Sequence, residues 1–237
     1  TDAVNAVAYS SKADLIMTCS ADSTTRLWGT DGIMKQEFKW PSETVNAADF
    51  SKNGDTILTG SEDNTARLWN LQGKMIKEIK VLKPKKNIPT AASPTENKIL
   101  TGAADNSSIL WAMGGDKLVT FKGHSETVNA VAFSPGGDSI ITGSNDGTAI
   151  LWNLNGDSLK TFKGHSGNIN SVTFSQNGDR VLTGSDDDSA FLWNREGKII
   201  KQFKFQPGKV ISVAFSPKAN AILTGSADGK TILWNPE

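Results

Sequence analysis

The sequence predicts an all-β propeller of six repeats of four-stranded antiparallel blades, the last blade lacking its outer strand within this chain. Three observations predict it. Six tryptophans (Trp28, Trp69, Trp111, Trp152, Trp193 and Trp234) recur at intervals of 41, 42, 41, 41 and 41 residues in a chain of 237. Fixed offsets accompany them: Thr18, Thr59, Thr101, Thr142, Thr183 and Thr224 stand ten residues before each, and Asp22, Asp63, Asp105, Asp146, Asp187 and Asp228 six residues before. Within each period, turn residues separate runs short enough to be strands. Self-similarity at this spacing is the signature of a repeat fold.

The fourth period shows each element most plainly. Residues 128–133 (VNAVAF) alternate small or polar with apolar, and Ser134-Pro135-Gly136-Gly137-Asp138 breaks the run. Residues 139–143 (SIITG) are a second strand, and Asn145-Asp146-Gly147 is a tight hairpin signal. Residues 148–152 form a third strand, Asn153 to Asp157 a turn, and residues 158–163 a fourth strand. Such a sheet cannot bury both faces alone, so blades must stack, each covering its neighbour. One domain over 1–237 follows, with blades at roughly 1–40, 41–81, 82–123, 124–164, 165–205 and 206–237.

Two periods depart from the pattern. In the third, Pro89 falls in the first strand, where it removes a ladder donor, and Ala92 replaces the aromatic of the other periods. In the sixth, only Asn235-Pro236-Glu237 follows Trp234, which gives 23 strands and an open edge able to pair with another chain. Three readings stand: a longer chain supplies the missing strand, the ring closes with a three-stranded blade, or another subunit completes it. The absence of an initiating Met points to a trimmed or excised chain.

Composition narrows the function classes. Lys+Arg and Asp+Glu are equal at 25 each, so the basic excess that drives nucleic-acid binding is missing. One cysteine, Cys19, excludes an internal disulfide and a Cys-based metal cage. It takes the place of the strand-b glycine and is expected to be a buried small residue. No apolar run approaches the ~20 residues of a membrane helix, and no signal peptide opens the chain. A soluble, reducing-compartment protein, cytoplasmic and without a cofactor, is the expectation. Asp186-Asp187-Asp188 reads as a solvated turn, since it lacks the ligand spacing of a calcium loop.

Gly123-His124, Val131-Ala132-Phe133-Ser134-Pro135, Thr142-Gly143-Ser144, Asp146 and Ile150-Leu151-Trp152 together resemble the WD-repeat (WD40) family, and the regular repeats resemble its bacterial members. The Asp that follows Trp in the family's name is absent, replaced by Gly29, Asn70, Ala112, Asn153, Asn194 and Asn235. Asn and Gly serve the same turn geometry. The resemblance implies a buried hydrogen-bond network of Trp152, Thr142, Asp146 and His124 in blade four, and of Trp193, Thr183, Asp187 and His165 in blade five. A catalytic relay is the competing reading, set aside because the arrangement recurs as scaffold. Pro41, Leu82 and Gln206 stand at the histidine position in blades two, three and six. Blades four and five are therefore expected to be better ordered than one to three, with slower amide exchange as the measure.

The resemblance also implies a binding rim, where the loops into the first strands and the b–c hairpins converge. There the sequence places Glu43, Lys85, Lys86, Glu126, Asn168 and Lys209, with Asn5, Asn46, Asn129 and Asn170 just inside and Ile88 and Ile211 breaking that set. Trp40, the tryptophan outside the period, is a further aromatic anchor. Four arginines are too few and too scattered for a phosphopeptide reader. The expected function is a non-catalytic protein-interaction or sensor module with a protein or peptide partner, part of a larger multidomain signalling protein. Self-assembly through the open blade edge is the alternative. A propeller hydrolase is the third reading, disfavoured because both histidines already have structural roles.

Overall fold

A computed structural model describes residues 2–10, 14–39, 44–80, 89–103, 105–204, 208–216 and 221–236. It is a six-bladed β-propeller with 23 strands among the described residues, each blade a separate antiparallel sheet in simple sequential order. Blade one holds β1 (Val4–Tyr9), β2 (Leu15–Ser20), β3 (Thr24–Gly29) and β4 (Met34–Lys39). Blade two holds β5 (Val45–Phe50), β6 (Thr56–Ser61), β7 (Thr65–Asn70) and β8 (Met75–Lys80). Blade three holds β9 (Thr90–Ala92), β10 (Lys98–Gly102), β11 (Ser107–Ala112) and β12 (Lys117–Lys122).

Blade four holds β13 (Val128–Phe133), β14 (Ser139–Ser144), β15 (Thr148–Asn153) and β16 (Ser158–Lys163). Blade five holds β17 (Ile169–Phe174), β18 (Arg180–Ser185), β19 (Ser189–Asn194) and β20 (Ile199–Lys204). Blade six has three strands, β21 (Val210–Phe215), β22 (Ile222–Ser226) and β23 (Thr231–Trp234). The fourth-period strands lie within a residue of the sequence expectation. Pro89 leaves β9 only three residues long. The chain forms two compact units, Thr1–Asp105 with Ile109–Leu118, and Asn106–Ser108 with Val119–Glu237.

Within each unit the core lies between sheets. In the first, Met17 and Leu27 of blade one pack on Val45, Phe50 and Ile57 of blade two. In the second, Leu182 and Leu192 of blade five pack on Val210, Val213 and Ile222 of blade six. Each such leucine contributes about 1.5–3 kcal/mol when fully buried. Tryptophan rings add a second tie: Phe38 of β4 meets Trp69 edge-on at 5.8 Å, and Phe162 of β16 meets Trp193 at 5.6 Å.

Close packing explains the strand-b glycines. A Cβ at Gly143 would lie 2.6 Å from Ile169 Cγ2 and 2.7 Å from Val172 Cγ1, and one at Gly184 would lie 2.7 Å from Val210 Cγ1 and 2.8 Å from Val213 Cγ1. Cys19 occupies the same register and is fully buried. It fits because the facing residue of blade two is Ala48 rather than valine. Burial pushes its thiol up to about 12, against an opposing hydrogen bond with Thr25. Cys19 is therefore expected to resist a thiol reagent in the native protein and to react fully in denaturant. Rapid native labelling would contradict this packing.

The first strands of blades one, two, four, five and six share a β-bulge, seen as a register shift between Val4 and Ala6, Val45 and Ala47, Val128 and Ala130, Ile169 and Ser171, and Val210 and Ser212. The extra residue is Asn5, Asn46, Asn129, Asn170 or Ile211. A bulge re-aims the side chain of its extra residue, and at Asn5, Asn129 and Asn170 it carries the amide to a first-strand carbonyl of the next blade.

Candidate functional site

Beneath the rim, every blade ties its tryptophan to its strand-b threonine: the six indole N–H groups donate to the threonine hydroxyls at 2.8–3.0 Å. In blade four, the Thr142 hydroxyl also lies 2.7 Å from His124 Nε2, and His124 Nδ1 lies 2.9 Å from Asp146 Oδ2. Blade five repeats this with Thr183, His165 and Asp187 at 2.7 and 2.8 Å. Burial lowers the pKa of His165 below its ordinary 6.5 even though Asp187 favours the charged ring. The neutral ring then donates from Nδ1 to Asp187 and accepts at Nε2 from Thr183. Phe191 stacks on that ring with centroids 4.2 Å apart.

The hairpin aspartates divide their two oxygens between two tasks. One oxygen holds the turn: Asp146 Oδ1 accepts the Thr148 N–H at 2.9 Å and its hydroxyl at 2.6 Å, and Asp63 and Asp187 do the same for Thr65 and Ser189. The other oxygen takes whatever cation or ring donor the blade offers. In blades one and two that donor is an arginine from the third strand. Arg26 reaches Asp22 at 3.2 Å and Glu37 at 2.9 Å, and Arg67 reaches Asp63 at 2.7 Å and Glu78 at 2.8 Å.

These Asp–Arg–Glu bridges were not anticipated from the sequence. Their signal is legible in hindsight: an Arg two residues before the tryptophan and a Glu eleven residues after that Arg, in the two blades described that lack both a histidine and an apolar residue there. Blades one and two therefore hold their hairpins through an arginine rather than a histidine. Pro41, Leu82 and Gln206 themselves lie outside the described residues.

Of the rim residues, Trp40, Glu43, Lys85 and Lys86 lie outside the described residues, as does Ile88. In the second unit, Asn168 and Lys209 come together on Asp186, whose Oδ2 accepts from Asn168 Nδ2 at 3.3 Å and Lys209 Nζ at 3.1 Å. Glu126 is exposed at the start of blade four, and its carbonyl accepts the Ser144 hydroxyl at 2.9 Å. Asp186 is thus more than a solvated turn residue: its Oδ1 also accepts Asn170 Nδ2 at 2.8 Å.

Asn170 is a bridge rather than an open rim group, because the same amide donates to the Val210 carbonyl of blade six at 3.0 Å. Asn129 likewise donates to the Ile169 carbonyl at 3.3 Å and to Asn145 Oδ1. In the first unit, Asn5 donates to the Val45 carbonyl at 3.2 Å and to Asn46 Oδ1 at 3.1 Å. The bulge asparagines Asn5, Asn129 and Asn170 therefore stitch neighbouring blades, Asn5 while still exposed, and Glu126, Asn168 and Lys209 make no such bond to a carbonyl of the next blade among these contacts. Among the described residues, no three of His, Cys, Asp and Glu group as metal ligands, and no helix is long and apolar enough to cross a membrane.

Comparison with known proteins agrees with this architecture. A search of curated proteins returns no match. The family description "WD domain, G-beta repeat" matches residues 1–29, 33–70, 115–153, 156–194 and 197–235. The longest unmatched stretch, 71–114, contains β9, β10 and β11 of the third blade, where Pro89 and Ala92 depart from the repeat. Propellers of this kind generally serve as protein-interaction scaffolds and typically carry no catalysis. With five repeats matched over most of its length, the chain belongs to the WD40 family.

Proposed function

We propose that this propeller is a non-catalytic recognition module that binds a protein or peptide partner through its rim, in the cytoplasm, as part of a larger multidomain signalling protein. The observation that carries this reading is the division of labour at the rim. The histidines and hairpin aspartates of blades four and five are occupied by the scaffold, and the bulge asparagines by neighbouring blades. Exposed Lys209 and half-buried Asn168, fixed on Asp186, stand above them with Glu126. Polar groups held in place on a rigid base lose little entropy on binding. The balanced charge supports a protein partner over a nucleic acid. Glu43, Lys85, Lys86 and Trp40 belong to the proposed partner-binding set from their sequence positions alone.

The experiment is capture from an extract of the source cells by the wild-type chain, by an Asn168→Ala/Lys209→Glu variant, and by a Leu159→Ser/Ile200→Ser control on the fourth strands. Proteins retained by wild type and control but lost from the rim variant are expected. Retention of the same proteins by all three would remove the rim from the account. Unchanged thermal melts keep the comparison one of binding, since exposed rim charges contribute little to folding.

A further inference from the structure

Three Asn-Gly pairs occur in the sequence, Asn53-Gly54, Asn155-Gly156 and Asn177-Gly178, and each sits in a turn between two strands. In such a pair the glycine nitrogen can attack the asparagine side-chain carbonyl, because glycine has no Cβ to obstruct the approach. The structure separates the three. Gly54 and Gly178 are buried, and their N–H groups donate to the Ser51 and Ser175 carbonyls at 2.8 and 2.9 Å. Asn177 is tied further, since its Oδ1 accepts the Ser175 hydroxyl at 2.9 Å and the Asp179 N–H at 3.4 Å. At Asn155-Gly156 these restraints are weakest. Asn155 is exposed, its side-chain amide makes no hydrogen bond among the described residues, and Gly156 is only half-buried. The Gly156 N–H reaches the Asn153 carbonyl at 3.3 Å, the longest such glycine turn bond among the described residues. Its φ of 102° stands apart from the 70° and 74° of Gly54 and Gly178.

We propose that Asn155 is a site of spontaneous deamidation, converted in the folded chain ahead of Asn53 and Asn177. The Gly156 nitrogen bonds to Asn155 Cγ, the side-chain nitrogen leaves with the amide proton as ammonia, and a cyclic succinimide remains. Water then opens either carbonyl of that ring, giving aspartate or isoaspartate. The fold keeps the reactive pair in place. A Cβ at Gly156 would lie 3.2 Å from Val119 Cγ1 of β12, and its positive φ is strained for any residue with a side chain. Asn153 holds the turn without covering Asn155. Its Oδ1 accepts the N–H groups of Asn155 and Asp157 at 3.0 and 2.9 Å, and its Nδ2 donates to Asp157 Oδ2 at 2.8 Å. Conversion adds one negative charge to a chain whose 25 basic and 25 acidic residues balance. The charge appears between β15 and β16, at the end of blade four away from the b–c hairpins, and isoaspartate also lengthens the backbone of that turn.

The test is incubation of the whole chain at physiological temperature and mildly alkaline pH, followed by digestion and mass spectrometry of the three peptides. In the native chain Asn155 is expected to convert about fivefold faster than Asn53 or Asn177, the factor imposed by one additional hydrogen bond of ordinary strength. In denaturant the three should convert at similar rates, because only the fold distinguishes them. Native conversion led by Asn53 or Asn177 would overturn the proposal. So would equal native rates, or a lead of Asn155 no greater than the one seen in denaturant. Isoelectric focusing gives a second reading on the undigested chain. Wild type should accumulate a species one charge more acidic, and Asn155→Ser should remove most of it. The replaced amide is exposed and makes no bond, so this variant is expected to melt as wild type does. An acidic species that forms as fast in Asn155→Ser as in wild type would contradict the assignment.

Discussion

Replacing Asp146 with Ala is expected to lower the stability of the unit that contains blade four by about 2–3 kcal/mol, measured by urea unfolding. The carboxylate accepts four hydrogen bonds, from His124 Nδ1 at 2.9 Å, the Ser125 N–H at 3.0 Å, and the N–H and hydroxyl of Thr148 at 2.9 and 2.6 Å. Water can replace it at the exposed Ser125 amide, but the buried His124 ring is left with only the Thr148 hydroxyl at 3.3 Å beside Nδ1. The internal control is Asp228→Ala in blade six, where the second oxygen binds Lys230 Nζ at 2.7 Å in an exposed pair. Exposed pairs contribute at most about 1 kcal/mol, so a much smaller loss is expected there. Equal losses at the two sites would mean that the histidine network adds nothing to the hairpin. Acid should erode the corresponding network in blade five. His165 has a lowered pKa, so the unfolded chain binds its proton more readily, and stability is lost as the pH falls below about 6.5.

Asp49→Asn is expected to act in the opposite direction and to stabilise the protein at neutral pH. Asp49 lies on β5 between blades two and three, where its Oδ2 accepts the Ala92 N–H at 2.9 Å and its Oδ1 its neighbour's N–H at 2.8 Å. Burial pushes its carboxyl up from 3.8 to about 6 despite those two hydrogen bonds. A raised carboxyl pKa favours folding below about pH 4 and withdraws that support as the pH rises through 6. At pH 7 the charged form costs about 2–3 kcal/mol, the partial exposure of the residue keeping it near the lower figure. An amide retains one acceptor without the charge, so the gain of Asp49→Asn should be largest above pH 6 and vanish near pH 3.5. A variant that is less stable than wild type at pH 7 would show that the carboxylate is needed to hold the short β9 in place.

The features repeated in every period were legible in the sequence. The tryptophan interval set the blades, the turn residues between Phe133 and Ser139 set a strand end, and Pro89 marked the first strand of blade three as irregular. The missed features depend on what lies across a blade junction, which one period does not contain. Asn170 reads as a rim amide until the bulge beside Ser171 turns it onto the Val210 carbonyl of the next blade. Cys19 is tolerated because Ala48, twenty-nine residues on, gives up the volume that valine takes elsewhere. The partners of Arg26 and Arg67, Glu37 and Glu78, lie on the next strand at a register fixed only by pairing. Asp186 was masked by its neighbours: three consecutive aspartates read as one turn, yet Asp186 fixes the rim, Asp187 holds the histidine, and Asp188 takes a φ of 61°.

The central claim, recognition at the rim above a scaffold that spends its reactive side chains on structure, is tested most directly by amide hydrogen exchange of the chain with and without a captured partner. Added protection is predicted at the starts of the first strands and the b–c hairpins, around Glu126, Asn145, Asn168, Asp186 and Lys209. Protection confined to the opposite ends of the blades, at the turns from Asn153 to Asp157 and Asn194 to Lys198, would contradict it.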